Sequence, residues 1–225
     1  ARAAGIKEFI FVTSRGKSAL EDYFDHSPVL EQELRKKGKD DLLEILKSTN
    51  MDSGAIAYIR QHKALGLGHA VWCARRLIAD EPFAVILPDD VIAAETPCLQ
   101  QMVDAYKETG GNMVAAMEVP PERASAYGVL DVSEDMGSIV SVKGMVEKPK
   151  PEEAPSNLAV IGRYILSPSV LNNLNKISTN KCKRDGYLQR AKKFRQSFRQ
   201  CNLPKNRKLA RAERAKNIAI FRFKR

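Results

Sequence analysis

Apolar runs and amphipathic segments alternate along most of this chain. Short runs rich in β-branched and aromatic residues predict strands, at residues 8–13, 56–59, 83–87, 113–119 and 158–166. Apolar residues that recur every three or four positions predict helices between them, at residues 17–23, 29–47, 69–77 and 99–109, the second broken at Gly38. A hairpin is predicted at residues 128–132 and 139–142. The alternation indicates an α/β domain of three layers with a mixed, mostly parallel sheet.

The last fifth of the chain has a different pattern. Apolar residues at spacings of three and four predict an amphipathic helix with a Lys/Arg face, at Tyr187, Ala191, Phe194, Phe198 and Cys201. A weaker second helix is predicted from Leu209 onward. We therefore expect one domain at residues 1–177 and a basic tail, helical or disordered, at residues 178–225.

The charge divides at the same boundary. The chain has 37 Lys and Arg residues against 27 Asp and Glu, a formal charge of +10. Residues 178–225 hold 17 basic and two acidic residues, which leaves 20 basic and 25 acidic residues in the first 177. A nucleic-acid partner is therefore an expectation for the tail alone.

Neither a membrane span nor a secretory leader is expected from this sequence. Its longest apolar runs fall well short of the roughly 18–20 residues that a membrane helix needs, and no charged-then-apolar segment opens the chain. The four cysteines include no C-x-x-C pair. These features predict a cytoplasmic protein with free thiols and no membrane partner.

Two acidic residues follow the most apolar predicted strand. Asp89 and Asp90 come directly after residues 83–87 and Pro88. In open α/β sheets, ligands bind outside the carboxyl ends of strands, and carboxylates there suit Mg²⁺ bound together with substrate phosphates. A turn or a helix cap explains the same pair about equally well.

Two other segments are candidates for ligand contact. Gly66 and Gly68 open a predicted helix, where backbone N–H groups can approach a ligand, although a tight loop is the simpler explanation. His69 is expected to cap this loop. Glu147 and Lys148 are an adjacent acid and base that could hold a sugar hydroxyl and a phosphate, although a solvated loop explains such a pair more often.

Eight motifs stand in one order along the chain and together resemble a known family. They are Gly5-Ile-Lys-Glu, Val12-Thr, Gly66-Leu-Gly-His-Ala, Val85-Ile-Leu-Pro-Asp-Asp, Ala126-Tyr-Gly-Val, Val146-Glu-Lys-Pro, Pro155-Ser-Asn-Leu-Ala and Gly162-Arg-Tyr. Over residues 3–175 the chain resembles bacterial UTP–glucose-1-phosphate uridylyltransferases, also called UDP-glucose pyrophosphorylases. The resemblance implies a Rossmann-like nucleotidyltransferase fold and the reaction of UTP with glucose 1-phosphate to give UDP-glucose and pyrophosphate.

The resemblance also implies a set of site residues. Asp89 would hold Mg²⁺ against the nucleotide phosphates, and Lys148 would neutralise the sugar phosphate, so these two are the expected catalytic residues. The expected substrate-binding residues are Gln61, Gly66 and Gly68 at the uracil, Asp90, the glucose-pocket residues Gly128, Glu147 and Asn157, and Gly162 and Tyr164, which would close that pocket. Relatives of this kind are expected to form homo-oligomers.

Two departures from the family pattern affect these expectations. Members of the family begin with a strand and a G-x-G-T-R loop that cradles the triphosphate, and no such segment precedes Ala1. We therefore expect an N-terminally truncated chain with impaired turnover. No family motif follows Ile177, so the tail could be a basic arm for nucleic acid, a membrane-surface helix or, as we favour, an out-of-frame translation.

Two alternatives to the leading function stay open from the sequence. One is another sugar-1-phosphate nucleotidyltransferase that uses dTTP or CTP. The other is a catalytically dead fragment that binds anions through its tail.

Overall fold

The computed structural model describes residues 1–179, 198–202, 209–211 and 218–222. Six α-helices are present in these ranges: α1 Ser18–Phe24, α2 Pro28–Lys36, α3 Asp40–Thr49, α4 Leu67–Cys73, α5 Cys98–Thr109 and α6 Ser169–Thr179. Eleven strands are present in them: β1 Glu8–Thr13, β2 Ile56–Arg60, β3 Phe83–Ile86, β4 Asp90–Ile92, β5 Asn112–Glu118, β6 Gly128–Asp135, β7 Ile139–Glu147, β8 Leu158–Leu166, β9 Phe198–Asn202, β10 Leu209–Arg211 and β11 Ile218–Arg222. None of the described helices combines the length and the apolar character needed to cross a bilayer.

Nine of these strands form one mixed sheet in the order β2-β1-β11-β3-β8-β5-β9-β7-β6. Six strands run in one direction, and β11, β8 and β7 run in the other. Because those three are interleaved with the rest, most neighbouring pairs are antiparallel. The remaining strands, β4 and β10, form a separate two-stranded sheet.

Helices cover both faces of the sheet, as a three-layer domain requires. Alternate residues of one strand belong to different cores: Val85 lies in the core under α4 and α6, and Ala84 lies in the core under α5. The α/β fold with a mixed sheet that the sequence predicts is therefore confirmed, but most neighbouring pairs of the described strands are antiparallel where the sequence predicts a mostly parallel sheet.

The tail segments that the structure describes are strands, so the helical prediction is wrong for residues 198–202, 209–211 and 218–222. Residues 180–197, 203–208, 212–217 and 223–225 lie outside the described residues. Strand β11 pairs with β1 on one side and β3 on the other. Without it, two apolar strands would leave backbone N–H and C=O groups unpaired within the sheet, a cost that outweighs a weak local preference for helix.

Candidate active site

The predicted site residues gather at one edge of the sheet. Strands β1, β2 and β3 run in the same direction, so their carboxyl ends lie at this edge. Thr13 ends β1, Gln61 follows β2, and Asp89 follows β3. The backbone N–H of Gln61 donates to the carbonyl of Thr13 at 2.8 Å, which ties the first two strand ends together.

The loop that leads into α4 is closed by the side chain of Gln61. Its amide nitrogen Nε2 donates to the carbonyl of Gly66 at 3.2 Å and lies 2.9 Å from Nδ1 of His69. Gly66 caps α4 with φ 89°, a backbone conformation that favours glycine. Gly68 has a different role, because a Cβ there would lie 3.1 Å from Cδ2 of Leu174 in α6.

His69 is the first of three stacked side chains, followed by Trp72 and Arg75. Its ring packs on Trp72 at a centroid distance of 5.8 Å, and the guanidinium of Arg75 lies 3.5 Å from the centroid of the Trp72 ring. Burial, and next the positive charge of Arg75, lower the pKa of His69 below its ordinary value. The imidazole is therefore neutral at neutral pH.

One carboxylate oxygen of Asp89 has no hydrogen-bond partner within the part of the chain that the structure describes. The residue is half-buried, and its Oδ1 is buried without a hydrogen-bond partner among the described residues. Leaving a buried hydrogen-bond acceptor in this state costs free energy. A cation at this position would remove the cost.

The carboxylate of Asp89 fits one particular mode of metal binding. No group of three or more His, Cys, Asp or Glu side chains able to hold a metal ion occurs within the part of the chain that the structure describes. Mg²⁺ commonly takes only one or two carboxylates from the protein, and substrate phosphates and water complete its octahedron. Asp89 suits that mode.

Arg163, which sequence reasoning missed, holds the turn that carries Asp89. Its guanidinium donates to the carbonyls of Leu87 at 2.6 Å, Asp90 at 2.5 Å and Gly162 at 3.2 Å. Arg163 is only 9% exposed. Burial lowers its pKa, and electrostatic interactions with Cys98, Asp90 and Asp89 oppose that shift. The only sequence signal for this role is a charged residue in the middle of an otherwise apolar strand.

A bulge in β8 brings Gly162 against the same turn. Three residues, 161–163, lie opposite the single residue Ala115 of β5. Gly162 has φ 67°, and a Cβ there would lie 2.9 Å from Cβ of Leu87. Tyr164 is half-buried and pairs with Val85 of β3. Gly162 therefore contacts the residue that leads into Pro88 and Asp89.

The hairpin β6–β7 brings Gly128 and Glu147 together. These two residues are register partners, and a Cβ at Gly128 would lie 3.3 Å from Oε2 of Glu147. The next residue, Lys148, is exposed and has φ 47°, the left-handed region that non-glycine residues rarely adopt. Its backbone N–H donates to the carbonyl of Tyr127 at 2.9 Å, which fixes this conformation.

Asn157 is exposed in a backbone segment that is held on both sides. Its carbonyl accepts from the N–H of Val119 at 2.9 Å. The hydroxyl of the adjacent Ser156 donates to the carbonyl of Leu130 at 2.6 Å. The amide side chain of Asn157 is therefore presented from a fixed position.

The pairings of strand β8 show where the β6–β7 hairpin lies relative to the turn that carries Asp89. One flank of β8 pairs with β5, so β3 and β6 share the opposite flank. On that flank Gly162 faces Leu87, and Ala159 pairs with Val129. These positions are three residues apart, about 10 Å along a strand. The start of β6 thus lies just beyond the end of β3.

Some of the predicted site residues therefore contact each other directly, whereas others are related only through strand register. Gln61 contacts Gly66, and Gly128 contacts Glu147. Asp89 and Asn157 are related to those pairs through the register of β8. The edge offers a polar loop at one end, a carboxylate in the centre, and an acid–base pair, Glu147 and Lys148, beside it.

Comparisons of the sequence with a family model and with known proteins agree with each other. The model of the nucleotidyl transferase family matches residues 3–201. A UTP–glucose-1-phosphate uridylyltransferase of Komagataeibacter xylinus is 48% identical over 177 residues, which cover 79% of this chain and 62% of that protein. One of Bacillus subtilis (strain 168) is 49% identical over 168 residues, 74% of this chain and 57% of that protein. The chain thus spans less than two thirds of the length of both.

Solved structures agree with these relatives. A UDP-glucose pyrophosphorylase of Acinetobacter baumannii superimposes with a TM-score of 0.78 at 30% identity, covering 93% of this chain and 73% of that one. A UDP-glucose pyrophosphorylase complexed with UDP-glucose superimposes with a TM-score of 0.74 at 34% identity, covering 92% of this chain and 76% of that one.

Proposed function

Because this chain belongs to the nucleotidyl transferase family, we propose that it transfers a uridylyl group from UTP to glucose 1-phosphate, forming UDP-glucose and pyrophosphate. The sequence resemblance to uridylyltransferases is confirmed at the level of the family. The observation that carries the proposal is Asp89, whose buried Oδ1 has no hydrogen-bond partner among the described residues at the carboxyl end of β3.

The reaction needs positioning and charge neutralisation more than covalent help from the protein. An oxygen of the glucose 1-phosphate group bonds to the α-phosphorus of UTP. The bond from that phosphorus to the bridging oxygen of the β-phosphate breaks, and pyrophosphate leaves with the electron pair. Mg²⁺, when bound, would neutralise negative charge on the phosphates.

Different residues of the protein would contact different parts of the substrates. Asp89 would hold the metal, and the buried guanidinium of Arg163 keeps its turn in place through the carbonyls of Leu87 and Asp90. Glu147 would accept hydrogen bonds from glucose hydroxyls beside Gly128, where a side chain would crowd Oε2 of Glu147. Lys148 would place its ammonium against the sugar phosphate.

The backbone of Lys148 supports a functional role for this residue. A left-handed conformation costs a non-glycine residue about 1–2 kcal/mol, and here it is maintained by the hydrogen bond from the Lys148 N–H to the carbonyl of Tyr127. Strain of this kind persists where the surrounding structure fixes it, often at functional sites.

The other end of the site would take the nucleotide. Gln61 and the Gly66–Gly68 loop would contact the uracil, and Asn157 would complete the glucose pocket with Gly162 and Tyr164 nearby. Asp90 begins β4 directly after Asp89, and Arg163 holds the carbonyl of Asp90. Because of this position, Asp90 would contact substrate beside the metal that Asp89 would hold.

Binding of UDP-glucose, measured by isothermal titration calorimetry, tests this proposal in the 225-residue chain. We expect binding that Mg²⁺ tightens by about tenfold, equivalent to about 1.4 kcal/mol. Asp89→Asn should abolish the effect of Mg²⁺, and Asp104→Asn, which changes an exposed carboxylate on α5, should preserve it. Absence of UDP-glucose binding, or a Mg²⁺ effect that survives Asp89→Asn, would contradict the proposal.

Pyrophosphate release provides the matching test of the chemistry. With glucose 1-phosphate present, UTP should be preferred over dTTP and CTP as the nucleotide substrate. A preference for either of the others would favour the corresponding nucleotidyltransferase.

We also propose a cytoplasmic homo-oligomer. Free thiols at Cys73 and Cys98 support a reducing compartment. Exposed apolar side chains on the helices before β2, including Val29 and Ile45, support self-association, which light scattering tests. Nucleic-acid binding by residues 178–225 stays a prediction, and the salt dependence of a DNA titration tests it.

A further inference from the structure

The orientation of the Gln61 side-chain amide follows from its neighbours. A backbone carbonyl can only accept hydrogen bonds, so the group 3.2 Å from the oxygen of Gly66 must be the amide nitrogen of Gln61. The second hydrogen on that nitrogen points to Nδ1 of His69, at 2.9 Å. Neither hydrogen bond uses the amide oxygen of Gln61.

His69 can accept this hydrogen bond only as the neutral tautomer that carries its proton on Nε2. Burial and the charge of Arg75 both favour the neutral form by lowering the pKa of His69. The other group beside the ring, Cys73, has its Sγ 3.8 Å from Nδ1. Burial raises the pKa of that thiol, so it adds no negative charge that would favour a protonated histidine.

We propose that His69 is a positioning residue that makes the nucleotide site selective for uracil over cytosine. By holding the amide nitrogen of Gln61, His69 leaves the amide oxygen as the group that faces a base. Uracil carries a hydrogen at N3 and can donate to this oxygen, whereas N3 of cytosine is an acceptor and would be repelled. This inference rests on the proposed function, in which Gln61 contacts the base.

The identity of residue 69 then determines what Gln61 presents. A side chain that only donates, such as lysine, would draw the amide oxygen of Gln61 toward itself and turn the amide nitrogen toward the base. A neutral acceptor, such as the amide oxygen of glutamine, would preserve the present orientation. An apolar side chain would leave the carbonyl of Gly66 as the remaining restraint.

Calorimetric titration of UDP-glucose and CDP-glucose tests the inference. The ratio of the two dissociation constants is the readout, because a purely structural defect would weaken both ligands and leave the ratio unchanged. We expect His69→Leu to lower the preference for UDP-glucose by about three- to tenfold and His69→Lys to lower it further. His69→Gln should restore the preference of the parent chain. His62→Gln, at an exposed histidine of the same loop, is the matched control.

The pH dependence supplies a second readout. Below the lowered pKa of His69, protonation removes the acceptor, so the preference of the parent chain should decline on acidification. It should stay constant in His69→Gln, which does not titrate. Among the described residues, the charged group that acts on the pKa of His69 is Arg75, which lies over the neighbouring Trp72 ring.

Two results would overturn the inference, and they are distinguishable from failure of the proposed function. If UDP-glucose binds and His69→Leu keeps the full preference over CDP-glucose, His69 does not set the base selectivity. If His69→Gln fails to restore a preference that His69→Leu has lost, the acceptor role is wrong. If UDP-glucose does not bind the parent chain at all, the proposed function fails and this inference fails with it.

Discussion

Gly162 allows the bulge in β8 to lie against the turn of Asp89, and Gly162→Ala should disrupt both. A Cβ at residue 162 would lie 2.9 Å from Cβ, 3.3 Å from Cγ and 3.4 Å from Cδ1 of Leu87. Leu87 cannot move away easily, because its N–H donates to the carbonyl of Gly162 at 2.9 Å. The backbone at 162 is also left-handed, with φ 67°.

The two effects have separable magnitudes. Alanine in the left-handed region costs about 1–2 kcal/mol, and forcing an extra methyl group into a packed site costs about 1–3 kcal/mol. Gly162→Ala should therefore lower the free energy of unfolding by roughly 2–5 kcal/mol. Gly38→Ala is a matched control, since Gly38 has φ 63° and nothing lies within 4 Å of the position its Cβ would take.

Urea denaturation of the two variants and the parent measures these costs, provided that unfolding is two-state. The difference between Gly162→Ala and Gly38→Ala isolates the contact with Leu87, and we expect about 1–3 kcal/mol. Combining Gly162→Ala with Leu87→Ala should relieve only part of it, because the Cβ of Leu87, the nearest atom, remains. Equal costs for Gly162→Ala and Gly38→Ala would refute the reasoning.

Three further predictions concern the same region and the sheet behind it. Arg163→Met should lower the free energy of unfolding by about 2–4 kcal/mol, because the carbonyls of Leu87 and Asp90 lose a charged donor. It should also weaken the effect of Mg²⁺ on UDP-glucose binding. Urea denaturation measures the first effect and calorimetry the second, and an unchanged Mg²⁺ effect would count against the role of Arg163. Trp72, the only tryptophan, should be quenched as the pH falls through the lowered pKa of His69, and His69→Gln should show no such transition in a fluorescence titration. Ile220→Pro removes a backbone donor from β11 between β1 and β3 and should destabilise the fold by about 3 kcal/mol or more. Ile220→Val, the control, should cost less than about 1.5 kcal/mol. Thermal melting compares the two variants, and coinciding melting curves would show that the pairing of β11 does not stabilise the sheet.

Local patterns predict the parts of this fold whose structure is decided locally. Strand β8 has the bounds expected from its apolar run, 158–166. The long amphipathic segment breaks into α2 and α3 at Gly38, whose positive φ a glycine tolerates. The position of Asp89 follows from a buried strand that ends abruptly, because ligand sites of α/β sheets lie at that end.

Long-range contacts explain what the sequence does not predict. Arg163 is 73 residues from Asp90, and only the fold shows that it holds the carbonyl there. His69 was expected to cap its loop, but its contact with the side chain of Gln61 depends on how β2 and α4 are joined. Strand β11 has a weak helical pattern, and its pairing with β1 and β3 decides the outcome instead.

Hydrogen–deuterium exchange with and without UDP-glucose and Mg²⁺ tests most directly the claim that one edge of the sheet is a sugar-nucleotide site. The account predicts slower exchange in three separate segments, at residues 61–70, 87–92 and 145–150, and unchanged exchange in α2 and α3. Protection confined to α2 and α3, or no protection in any of the three segments, would contradict it.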